Sequence, residues 1–117
     1  MNRTIKFRGI CDNRYTTKEW VYGYLGKSSS GLFIILNDDG IGQFIDEKTI
    51  GQYTGCKDIN GNEIYEGDIV KSINSKLKGV VKYKNGSFRI DWDSKYICDV
   101  CDISSWYVEV IGNLFEE

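Results

Sequence analysis

With 117 residues and a formal charge of −2 at pH 7, the chain has the size of one domain and lacks the net positive charge usual in proteins that grip the nucleic-acid backbone. Proline, alanine and histidine are absent while Ile, Tyr, Val and Gly abound, which favours strands joined by glycine turns over helices and removes the commonest general base of neutral-pH catalysis. No stretch reaches the roughly 18 apolar residues of a membrane span, and Met1 to Ile10 holds Arg3, Lys6 and Arg8 but no apolar run, so we expect a cytoplasmic protein with no membrane contact and reduced cysteines.

Ile5 to Ile10 alternates, with Ile5 and Phe7 on one face and Lys6 and Arg8 on the other, and predicts a half-buried strand. Glu19 to Leu25 repeats the period, setting Trp20, Tyr22 and Tyr24 opposite Val21 and Leu25. A Ser/Gly loop at Lys27 to Gly31 leads to an apolar strand, Leu32 to Leu36, ended by Asn37-Asp38-Asp39-Gly40. Asp46-Glu47-Lys48-Thr49 predicts one short helical turn, and Asn60-Gly61 suits a two-residue hairpin loop.

From Asp68 the period is more regular, with strands expected at Ile69 to Ile73 and Val80 to Tyr83. Asn85-Gly86 then predicts a tight hairpin that sets Val81 and Tyr83 opposite Lys82 and Lys84, and Phe88, Ile90 and Trp92 opposite Arg89, Asp91 and Asp93. A further strand is expected at Tyr96 to Val100, a 3₁₀-like turn at Ser104 to Trp106 and a last strand at Val108 to Ile111. Five short strands in this order suggest a small SH3-like barrel over 67–117, with strands of 1–66 packed on it in a single, mainly β domain having at most one short helix.

Three segments carry a family resemblance: Ile5-Lys6-Phe7-Arg8, the run Thr54-Gly55-Cys56-Lys57-Asp58 leading to Ile64-Tyr65-Glu66-Gly67-Asp68-Ile69-Val70, and Val110-Ile111-Gly112-Asn113-Leu114-Phe115-Glu116. In these the chain resembles the YopX family of phage and prophage proteins, almost from end to end. The resemblance implies no activity, cofactor or catalytic set. Cys56 stands where the family more often has a bulky aliphatic residue, which argues against a family-wide role for that thiol.

Cys98-Asp99-Val100-Cys101 has the spacing of a zinc-binding or redox pair. A structural zinc site would need Cys11 and Cys56 as well, and a redox pair would need a helix N-terminus where the pattern gives strand and turn. Reduced, inert cysteines are the expectation, with no metal and no cofactor. Asp58, Glu63, Glu66 and Asp68 fail as a calcium loop, because glycine falls at its fourth position and Ile69 at its twelfth. Hairpin and turn chemistry accounts for them, with Glu66 and Asp68 around Gly67 expected in a surface turn entering a strand, and no catalytic residue is assigned.

Three Trp, eight Tyr and five Phe are a surplus for a chain this size. Core and subunit interface are their expected places, with Trp20, Tyr22, Tyr24, Trp92 and Trp106 as a candidate partner surface. Lys71, Lys76, Lys78, Lys82 and Lys84 put five lysines into fourteen residues and form a candidate nucleic-acid contact. The sequence thus suggests a non-catalytic binding or assembly module, forming homo-oligomers or meeting a phage or host protein. Nucleic-acid binding through the lysine face is the alternative.

Overall fold

The computed structural model describes residues 5–11, 19–73, 77–84, 86–92 and 107–115, and the backbone of 97–99. The expected strands at 5–10, 19–25, 32–36, 69–73, 80–83, 88–92, 96–100 and 108–111 are present as β1 (Phe7–Ile10), β2 (Trp20–Lys27), β3 (Phe33–Leu36), β7 (Asp68–Ser72), β8 (Lys78–Lys84), β9 (Ser87–Trp92), β10 (Ile97–Asp99) and β11 (Val108–Asn113). Three shorter or more irregular strands complete the set: β4 (Gly42–Phe44), β5 (Gly51–Lys57) and β6 (Glu63–Tyr65). The pairings are antiparallel. A 3₁₀ turn, Glu47–Thr49, is capped by the Asp46 carboxylate, which accepts from the Lys48 amide.

The chain divides into two units, 1–52 and 53–117. Segment 53–66 falls in the second of these units, where its side chains join the core. Ile64 is fully buried beside Val70, Val81, Ile90, Trp92 and Val108, and the Ile59 amide donates to the Val108 carbonyl at 3.0 Å.

In the first unit the strands run β4-β3-β2-β1, with Phe7 and Arg8 pairing onward to Gln52 and Gly51. Val21, Ile35 and Ile45 form the core, supported by Phe7, Cys11, Leu25 and Ile50. The 3₁₀ turn is fastened to β1 in both directions: the Ile10 amide donates to Thr49 Oγ1 at 2.8 Å, and the Asp46 amide to the Ile10 carbonyl at 2.9 Å.

One turn design closes three hairpins. At Ser28, Asn37 and Asp58 the backbone amide donates to the carbonyl four residues on, and the carbonyl accepts from a glycine three residues on, Gly31, Gly40 or Gly61. Each of these glycines has φ near +80°, in the left-handed region where a Cβ is strained. The leading side chain accepts from the amide four residues on: Leu32 to Ser28 Oγ, Ile41 to Asn37 Oδ1 and Asn62 to Asp58 Oδ1. The Asn60-Gly61 loop is thus one residue longer than its residue pair suggests, because only Gly61 occupies the left-handed position of a three-residue loop.

In the second unit five strands form a sheet ordered β10-β9-β8-β7-β11. The expected strand order appears, with the last strand beside the first of the set. Among the described residues the five strands pair as one antiparallel sheet, and no pairing joins β10 to β11. Val70, Val81, Ile90, Trp92 and Val108 line its inner face. Gly79 lies between Val70 and Trp92 in the register, where a Cβ would come within 2.7 Å of Ile90 Cγ2 and 3.0 Å of the indole. The glycine leaves room for the indole to approach the strand closely.

Candidate functional site

Strand alternation forces the outer face of this second sheet to be the complement of its core. Lys78, Val80, Lys82 and Lys84 share one side of β8, and the register sets Lys71 opposite Lys78, Ile69 opposite Val80, Val80 opposite Asp91, and Lys82 opposite Arg89. Lys71, Lys78, Lys82 and Lys84 are all exposed. The structure thus brings together four of the five lysines of the candidate contact; Lys76 lies outside the described residues. Arg89, left out of the sequence-based candidate set, joins them. Counting outward from the Asn85-Gly86 loop would have found it.

Two carboxylates moderate this face among the described side chains, and Asp99 of β10 pairs with Arg89 in the register. Asp91 Oδ2 lies 3.3 Å from Lys82 Nζ, with both side chains close to half exposed, so the pair contributes at most about 1 kcal/mol. Glu109 stands opposite Lys71 on β11. Between the cations Ile69, Lys78, Gly79, Val80, Asp91 and Trp92 line an open depression of about 370 Å³.

The outer face of the first sheet is chemically different. Tyr24 pairs with Leu36, Leu36 with Gly42 and Ile34 with Phe44, so one side of β2, β3 and β4 presents Tyr22, Tyr24, Leu36 and Phe44. Their relative exposures of 45%, 60%, 36% and 51% make this an apolar surface open to contact. Trp20, on the same side of β2, is half-buried with the Arg8 guanidinium 4.5 Å over its ring. Of the five candidate partner residues, Tyr22 and Tyr24 are on a surface, Trp92 is in the core of the second unit at 6% exposure, and Trp106 lies outside the described residues. Trp92 is inward because β9 continues the same alternation that buries Ile90. Leu36 and Phe44 are apolar surface residues that only the strand register reveals.

Asp58 and Asp68 serve the scaffold. The Asp58 carboxylate accepts from the amides of Asn60 (2.9 Å), Asn62 (2.8 Å) and, 52 positions away, Val110 (2.9 Å). Burial alone would raise its pKa, but the bonds from Val110, Asn62 and Asn60 outweigh it and hold the carboxyl below its ordinary value of 3.8. Asp68, expected in a surface turn, is instead buried at 1% exposure, where it accepts from the Tyr65 amide at 2.7 Å. Thr54 Oγ1 donates to the Ile64 carbonyl at 2.8 Å, and Gly67 donates to Val81 and accepts from Leu114.

Cys11 is a free thiol, whereas Cys56 is in a disulfide, contrary to the expectation of reduced cysteines. That expectation came from compartment alone, which says nothing about which sulfurs the fold brings into range. The side chains of Cys98 and Cys101 lie outside those described. Among the described residues no group of three His, Cys, Asp or Glu is placed to hold a metal ion, and no helix is long and apolar enough to cross a membrane.

The hydrogen bonds just described link two of the three segments that carry the family resemblance, and the family model for YopX protein matches residues 6–117. The chain belongs to the YopX family. No curated protein matches the chain as a relative. Two of the three YopX segments are joined by the Asp58 bond to Val110 and the Leu114 bond to Gly67, so in this chain those motif residues serve the scaffold, and both outward sheet faces are built largely from residues outside them.

Proposed function

We propose that this YopX protein is a non-catalytic accessory protein, encoded by phage or prophage, that acts in the bacterial cytoplasm as a β-sheet binding and assembly module and forms homo-oligomers. The observation that carries the reading is the exposed apolar face of Tyr22, Tyr24, Leu36 and Phe44 in the first unit. An apolar face of this kind is what homo-oligomer interfaces bury. Size-exclusion chromatography with light scattering tests it: the protein should elute as a multiple of 13.4 kDa, and a monomer at high concentration would contradict the reading.

A second reading is favoured by a separate observation. Lys71, Lys78, Lys82 and Lys84, together with Arg89, share the outer face of the second sheet, which suits an extended polyanion and makes nucleic acid the alternative ligand. Retention on heparin or phosphocellulose that is lost with rising salt would support it.

A further inference from the structure

We infer that the cationic face takes single-stranded nucleic acid, with a base laid over the Ile69 and Val80 depression and flanking phosphates held by the lysines. This rests on the second reading above and sharpens it.

The first support is the register. Lys71 and Lys78 stand directly opposite one another, as do Lys82 and Arg89, and like charges in that relation destabilise a sheet. Asp91 offsets part of the second repulsion and Glu109 part of the first. Lys78 and Lys84 make no ion pair among the described residues, and both are exposed. A sheet that keeps such pairs in a chain of net charge −2 has a place for an anionic ligand.

The second support is the spacing of polar and apolar rows. Lys78 and Lys82 are four residues apart on β8, about 13 Å along an extended strand. Ile69 and Val80 lie in the row between them and line the depression together with Asp91. An apolar floor beside a carboxylate repels a phosphate but accepts the flat face of a base. A duplex keeps its bases stacked inside and presents only phosphates and groove edges, so it has no use for that floor. A single strand presents both groups.

Fluorescence anisotropy with a labelled 20-nucleotide single strand and the matching duplex, at about 50 and 200 mM salt, tests this on the full chain. For four phosphate contacts on a single strand, affinity should fall about 50-fold between the two salts. The double substitution Lys78→Glu with Lys84→Glu should weaken binding at least tenfold and flatten the salt slope by about 1.4, while a Lys48→Glu control in the first unit should change little. Val80→Asn should weaken the single strand severalfold and leave duplex affinity as it was. Thermal melting of each variant separates lost binding from lost folding; K78E, which puts a carboxylate opposite Lys71, should not lower stability. Equal affinity for duplex and single strand, with Val80→Asn silent, overturns the inference but leaves the second reading standing. No binding of either polymer at low salt, or wild-type binding by the lysine double variant, overturns both.

Discussion

The two sheets are alike on their inner faces and opposite on their outer ones. Each buries a small set of aliphatic side chains, but the first turns Tyr22, Tyr24, Leu36 and Phe44 outward where the second turns out Lys71, Lys78, Lys82, Lys84 and Arg89. Inner faces are constrained by packing and so converge on Val and Ile. Outer faces are under no such constraint, so a consistent chemistry there points to an outside partner. The turns show the same contrast on a smaller scale. Asn37 and Asp58 fold identical loops, yet only Asp58 reaches across to β11.

The largest expected effect separates those two loops. Replacing Asp58 by Ala removes the acceptor of three backbone amides and should cost about 3 kcal/mol of stability, whereas Asn37→Ala, in an exposed loop, should cost about 1 kcal/mol. Urea denaturation of both variants measures the difference, and equal losses would erase the distinction between a clamped loop and a free one.

Next in size is the apolar face. Tyr24→Glu or Phe44→Glu should weaken self-association by about 2 kcal/mol or more while leaving monomer folding intact, since both side chains are exposed. Sedimentation equilibrium reads the change directly. Lys78→Glu and Lys84→Glu, on the other sheet, should leave the association constant as it was.

Acid stability distinguishes the units again. Asp58 has its carboxyl pKa lowered in the folded protein, because backbone bonds outweigh the opposing effect of burial. At low pH the unfolded chain therefore binds the extra proton first. The stabilisation is complete above the unfolded value near 3.8 and is lost as pH falls through the folded one. Melting curves taken downward from pH 5 should show this loss in the wild type and a smaller one in Asp58→Asn.

The smallest effect sharpens the charge difference. Asp91→Ala removes an exposed ion pair with Lys82 and should change stability by less than about 1 kcal/mol. It should also strengthen retention on a polyanion column, since among the described side chains the face then keeps only Glu109 against its cations.

Much of this was legible in the sequence. The period of two places Lys82 and Lys84 opposite Val81 and Tyr83 without any coordinates, and the Asn85-Gly86 loop sets the register that brings Arg89 to Lys82. Local patterns fail where the deciding partner is remote. Asp68 reads as a surface turn residue and is buried, because the Tyr65 amide needs an acceptor inside. The bond from Val110 to Asp58 spans 52 positions, and no local pattern in segment 53–66 announces it. The outward side of Leu36 and Phe44 emerges only when the register of β3 and β4 aligns them with Tyr24. Barrel closure depends on pairing between strand edges, which the order of strands along the chain does not determine.

Amide hydrogen exchange, followed first on dilution and then on addition of a single-stranded oligonucleotide, tests the central claim that the two outer faces serve different partners. The account predicts that dilution deprotects β2, β3 and β4 alone and that the oligonucleotide protects β7, β8 and β9 alone. Changes falling on the same strands in both experiments, or on neither sheet, would contradict it.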